Sequence, residues 1–257
     1  MRDKPNGTGG RVGVYVDGFN LYYGLKGMSH HRDLWLDLAG LARDLLRDGQ
    51  SLERVRYFTA IVRNDRQAAA RQRVYLAAVQ SQGVEVVLGR FQEKCNRCRQ
   101  CGMVWRSYEE KKTDAAIASS MVADAALDVV DVVLLVSADT DLCAPIEKIR
   151  AIDEQRGRKT RIVSVFPPGK GADGLGRCSD AWLPLGQALI RRWQFPDVVC
   201  GSDGTEYRRP AYWNQGPPSI VLCDIFRGRT RWSGGRLRCG RGVGVEGARR
   251  WEAPDAG

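Results

Sequence analysis

The stretch VDVVLLVSADTD, residues 130–141, constrains this chain more than any other segment. Its run from Val132 to Val136 carries no polar residue that could face water, and an acidic, hydroxyl-rich turn follows at once. A strand of that kind has to be covered on both faces, which is the situation of a parallel strand inside an α/β fold. The apolar run from Val129 is far short of the roughly 18 residues that a membrane helix requires. It is therefore expected to be a buried strand.

Other segments alternate around it. Arg11 to Val16, Val55 to Ile61, Val84 to Leu88 and Arg161 to Val165 have strand character. Between them lie helical patterns. Leu34, Leu38, Leu41 and Leu45 share one face of a helix predicted over 34–46, and a second helix is predicted over 65–82 with Gly83 as its stop. A third opens at Lys112-Thr113-Asp114, with Thr113 as N-cap, and a fourth runs from Leu142 to Gln155 before Gly157. Leu183 to Trp193 reads as a closing helix. Strands separated by helices at this spacing predict an α/β fold with a central, mostly parallel sheet and helices on both faces.

The 257 residues, 43% of them hydrophobic, suit one domain with a small appendage. Residues 1–10 read as a flexible lead-in, and the core domain is expected over 11–196. A Cys-rich basic insertion at 93–105, a loop or small finger, interrupts the alternation. Residues 217–257 are rich in Gly and Arg and are expected to form a poorly ordered tail or a nucleic-acid-binding arm. The N-terminus has no apolar stretch behind its charges, so no secretory signal is expected and the location is expected to be cytoplasmic.

Forty basic residues against 30 acidic ones leave a net charge of +10, which favours a polyanionic partner. The surplus is uneven: residues 90–112 hold seven Lys or Arg against three Glu. Arg97, Arg99, Arg106, Lys111 and Lys112 are candidates for contacts to nucleic-acid phosphates, contacts that position a strand without reading its sequence. Cys95, Cys98 and Cys101 have the spacing of part of a zinc knuckle. Structural zinc takes four ligands, and the fourth is not nearby in sequence; His30 and His31 would reach only through the fold. The other five cysteines are scattered.

Acids fall where parallel strands should end or helices begin. Asp17 follows the first strand, Asp114 opens a helix, and Asp139 and Asp141 follow the most apolar strand. Open α/β sheets hold ligands beyond the carboxyl ends of their strands, so these acids are expected in one crevice. Two like charges about 4 Å apart repel by about 4 kcal/mol at an effective dielectric of 20, a cost that a divalent cation removes. All-oxygen ligation points to Mg2+ or Mn2+. Each acid alone also has a structural reading, as turn former or helix-end charge. Asn20 would orient Asp17, a metal-bound water or a phosphate, or simply cap a helix. Tyr22 and Tyr23 are either base-stacking rings or core. The chain lacks the Gly-rich turn of a dinucleotide-binding strand and the G-x-x-x-x-G-K-[ST] phosphate loop, and it shows no Asp-x-Asp after the first strand as an aspartyl phosphatase would.

The segments VDGFNLYYGL, YFTA, EEKKTDAAIA and LLVSADTDLCAPI, in that order, resemble the NYN-domain family, a PIN-like group of α/β proteins. The resemblance implies a PIN-like three-layer fold and a Mg2+-binding acidic pocket, in a group with many known or expected ribonucleases. It places the family's site residues on Asp17, Asn20, Asp114, Asp139 and Asp141, with Ser137 opening the last motif. Ala138 and Thr140 stand where many relatives have Gly and Ser. Cys98-Arg99-Gln100-Cys101-Gly102 resembles a piece that bacterial members carry, and FPDVVCGSDGTEYRRPAYW resembles their C-terminal extension, here placed at 197–216. The implied function is metal-dependent hydrolysis of RNA phosphodiesters. A catalytically silent RNA-binding module and a metal-dependent phosphatase are the alternatives.

Overall fold

The computed structural model describes residues 9–63, 65–97 and 101–214, with 90–94 and 105–111 described through their backbone pairing alone. The expected tail at 217–257 and nearly all of the lead-in lie outside the described residues, as do Cys98 and Arg99.

Six strands form the central sheet: β1 (Arg11–Asp17), β2 (Ser51–Thr59), β3 (Glu85–Leu88), β6 (Val132–Val136), β7 (Arg161–Phe166) and β8 (Ala181–Pro184). Their order is β3-β2-β1-β6-β7-β8, and every neighbouring pair is parallel. Between β3 and the return to the sheet, β4 (Arg90–Arg97) and β5 (Val104–Lys111) form a separate antiparallel ribbon. A short hairpin, β9 (Val198–Cys200) with β10 (Glu206–Arg208), follows the sheet.

Seven α-helices are described: α1 (Gly18–Ser29), α2 (Leu38–Asp44), α3 (Arg66–Ser81), α4 (Thr113–Ala126), α5 (Cys143–Arg156), α6 (Asp173–Cys178) and α7 (Gln187–Arg192). The period of two along each strand sorts them into layers. Val12, Val14, Val16, Val132, Leu134 and Val136 pack on one face with Leu21 and Leu25 of α1, Leu41 of α2, Leu76 and Val79 of α3 and Ile190 of α7. Tyr15, Phe58, Val133 and Leu135 point the other way, onto Ile117 and Met121 of α4, Ile146 and Ile149 of α5 and Leu175 of α6. The result is the expected three-layer, PIN-like α/β arrangement.

Several local expectations are corrected. Thr113 does not cap α4; it is the buried first residue of the helix, and the N-cap is Lys112, at φ +83 and with no side-chain capping bond. The helix expected over 34–46 is confined to α2, because Asp37 accepts a hydrogen bond from the Gly40 N–H and caps it there. Leu36 is extended instead, and bridges to Gln194. Inside α2, Gly40 lies under the Trp193 ring, where a Cβ would come within 2.3 Å of a ring carbon. The segment expected to be a loop or small finger is a two-stranded ribbon that reaches from Arg90 to Lys111. Leu183 and Pro184, expected to begin the closing helix, belong instead to the sheet's last strand, β8, whose four residues AWLP are too short a run to announce a strand. The closing helix itself is only α7.

A buried ionic network ties the sheet to α4. Asp124 accepts from the Tyr15 hydroxyl at 2.6 Å and pairs with Arg54 at 2.9 Å and Arg56 at 3.1 Å. Burial and the adjacent Asp124 carboxylate push the Tyr15 phenol well above its ordinary pKa, so it acts as a permanent donor. Asp124→Ala leaves the buried Tyr15 hydroxyl without an acceptor and the partly exposed Arg54 without its carboxylate, so it should lower unfolding free energy by about 1–3 kcal/mol in urea titrations. Trp213, 7% exposed among Trp35 and Tyr75, pins the segment after β10. Trp213→Ala should cost about 3–5 kcal/mol by the same measurement.

Candidate active site

The strand order sets the site. The chain begins in the middle of the sheet at β1, moves outward to β3, then returns to the other side of β1 as β6. Helices leave neighbouring strands toward opposite faces at such a reversal, and a crevice opens beyond the strand ends. Val16 is in register with Val136, so the next residues, Asp17 and Ser137, become neighbours at the mouth of that crevice. The Ser137 hydroxyl donates to Asp17 Oδ2 at 2.9 Å. It also accepts from the Asp139 N–H at 3.1 Å, and the Asp141 N–H donates to Asp139 Oδ1 at 3.0 Å. A hydrogen-bonded chain thus runs from Asp17 through Ser137 to Asp139 and Asp141.

Asp17 is 2% exposed and is the N-cap of α1. Its Oδ1 accepts the N–H groups of Phe19 at 3.1 Å and Asn20 at 3.0 Å, and its Oδ2 accepts Asn20 Nδ2 at 2.7 Å besides Ser137. A carboxylate has about four lone-pair sites, so protein donors fill Asp17. Burial raises its pKa above the ordinary carboxylate value, these hydrogen bonds pull it back, and the charge of Asp139 raises it further. Gly18 is required here: a Cβ would stand 2.5 Å from the Phe58 carbonyl oxygen and 2.9 Å from Tyr57 Cζ. Tyr57, buried, lies close enough for the Asp17 charge to raise its phenol pKa, after burial itself. The Asp-Gly pair is thus a helix cap pressed against β2 and not a free turn.

Asp139 is half-buried and Asp141 exposed. Among the described residues, Asp139 Oδ2 and both oxygens of Asp141 accept no hydrogen bond. Asp114, exposed, stands in the first turn of α4, which packs beside the 3-10 turn Thr140–Leu142 that carries Asp141. No three His, Cys, Asp or Glu side chains among the described residues are close enough to enclose an ion as they stand. That arrangement still suits one cation type. Mg2+ keeps several waters and binds through one or two carboxylates together with substrate phosphates. Asp139 and Asp141 are the two side chains that could hold such a cation.

The basic candidates are dispersed. Arg97 ends β4 and Lys112 links the ribbon to α4, both exposed; Arg106 and Lys111 are placed by backbone pairing in β5, and Arg99 falls outside the described residues. Of the proposed zinc ligands, Cys95 and Cys101 are exposed free thiols and Cys98 falls outside the described residues. Two cysteines of the scattered set do meet: the Cys178 thiol at the end of α6 donates to that of Cys143 at the start of α5. Burial, then the Cys178 neighbour, pushes the Cys143 thiol up to about 11, which keeps it protonated and a poor nucleophile at neutral pH. Ser137 carries more of the geometry than its place at the start of the last motif suggests, and Tyr57, the first residue of the YFTA segment, packs against the Asp17-Gly18 pair. Only the β1–β6 register reveals the first and only the close packing around Gly18 the second.

Among solved structures, the chain is similar to a protein of unknown function from Vibrio parahaemolyticus, with 19% identity over 69% of this chain and 94% of that one and a TM-score of 0.46. No curated protein matches the chain. The family profile of the NYN domain matches residues 11–181, a span that holds five of the six sheet strands, the first residue of β8 and every candidate acid. The chain belongs to the NYN-domain family.

Proposed function

We propose that this protein is a metal-dependent ribonuclease that hydrolyses RNA phosphodiester bonds. The observation that carries the reading is the chain of hydrogen bonds from Asp17 through Ser137 to Asp139 and Asp141 at the point where the strand order reverses. Asp139 and Asp141 would hold Mg2+ or Mn2+, with Asp114 acting through water. A cation bound there supplies Lewis-acid polarisation of a phosphoryl oxygen and a water of lowered pKa. Asp17, with its acceptors filled, works from behind: its charge faces Asp139 and its bonds fix Ser137, which in turn fixes the Asp139 backbone. Asn20 is a positioning residue, since its amide holds Asp17 Oδ2. Lys112 and Arg97, both exposed, are suited to phosphate contacts along the approaching strand.

The saturation of Asp17 also gives a specific basis for the second reading, a module that binds RNA without cutting it. Cleavage assays with Mg2+, Mn2+ or EDTA decide between them. Asp139→Asn keeps an oxygen for the Asp141 N–H and should preserve the melting temperature while lowering metal-dependent cleavage about a thousandfold, the equivalent of roughly 4 kcal/mol of transition-state stabilisation. RNA retained but left intact with either metal would assign the binding role. Asp17→Asn should lose activity and melting temperature together, because an amide cannot accept both the Asn20 and the Ser137 donors at that position.

A further inference from the structure

A second cluster lies along α1, away from the acids, and the function above does not use it. His30 and His31 both adopt left-handed backbone angles, at φ 49 and φ 82, and turn the chain sharply after α1. This brings the His31 ring within 5.3 Å of the Tyr212 ring. Tyr212 belongs to the 3-10 turn Ala211–Trp213; its neighbour Trp213 is plugged into the core, so Tyr212 is held at the surface and is 48% exposed. The Arg71 guanidinium of α3 sits over the same ring at 4.5 Å from its centroid. Beside it, Lys26 lies 5.9 Å from the centroid of Tyr22, and Tyr22 packs edge-on against Tyr23, which is 43% exposed.

Among the described residues neither Lys26 nor Arg71 is paired with a carboxylate. Their unneutralised charge is felt locally: burial, then Lys26 and Arg71, lowers the His31 pKa. The cations and rings act on one another: burial first, then Tyr23, Tyr212 and Arg71, set the Tyr22 phenol pKa. Partly exposed rings flanked by cations without a carboxylate partner are what unstacked bases and their phosphates require.

We propose that Tyr212, Arg71, His31, Lys26 and Tyr23 form a single-stranded RNA subsite that stacks a base on Tyr212 and holds the adjoining phosphate with Arg71 and Lys26. It rests on the nuclease reading in that the bound strand would be the nuclease's substrate. It gives the segment after β10 a task, because that segment supplies the stacking ring. Duplex RNA is excluded from it, since paired bases do not offer their faces.

The test is equilibrium binding of a fluorescein-labelled oligouridylate to the full chain in EDTA, read by anisotropy at several salt concentrations. Tyr212→Ala should weaken binding about 5- to 100-fold and Tyr212→Phe should restore it. Arg71→Gln should weaken binding and flatten the salt dependence by about 0.7 in log–log slope, the signature of one lost phosphate contact. Unchanged affinity in both Tyr212→Ala and Arg71→Gln, or duplex RNA bound as tightly as the single strand, would overturn the subsite. Displacement by polyglutamate as effective as by unlabelled RNA would assign the patch to acidic peptides instead. Binding that depends on Tyr212 in a protein without metal-dependent cleavage would sink the nuclease reading and leave the subsite standing. Cleavage lost in Asp139→Asn alongside binding indifferent to Tyr212 would do the reverse.

Discussion

The pairing of β1 with β6 governs this molecule. Two strands separated by more than a hundred residues lie side by side, and their parallel register, Val16 against Val136, delivers Asp17 and Ser137 to the same point in space. A slip of one residue would turn every side chain of the strand to the opposite face and break the link between the two halves of the acidic chain. The register is protected by burial, since Val12 to Val16 and Val132 to Val136 are covered above and below by different helices. Packing that secures the core therefore also aims the carboxylates.

From that junction outward, order is imposed by caps and close contacts. Asp17 begins α1, Asp37 begins α2 and Asp65 begins α3, each with its side chain bonded to backbone N–H groups of the helix it opens. Only the first of these also faces another acid of the candidate site. The same chemical device, an aspartate at a helix start, is structural in two places and shared with the site in the third. The difference is made by the neighbouring strand, which contributes Ser137.

Much of the architecture was legible in the sequence because the signals were local. The apolar run before Ser137, the leucine spacing around Leu38 and Leu41, and Gly83 and Gly157 after their helices each reflect a constraint within one turn or one strand. The candidate acids were legible too, as residues following strands. What escaped depends on distant partners. β8 is a strand because β7 offers it an edge, not because AWLP prefers to extend. Thr113 has a good capping side chain, but burial makes it part of the helix, and the chain turns at Lys112 instead. Tyr212 is exposed only because Trp213 is drawn inward to Trp35 and Tyr75, a contact over more than a hundred residues.

The four donors gathered on Asp17 make it a structural hub as well as a candidate site residue. An acid so thoroughly engaged in starting a helix and joining two strands serves folding whether or not any reaction occurs nearby. Asp139 and Asp141, at the open end of the same network, carry far less of that structural burden. Losing Asp17 would therefore disturb the fold itself, whereas losing Asp139 or Asp141 would leave the start of α1 and the β1–β6 junction standing.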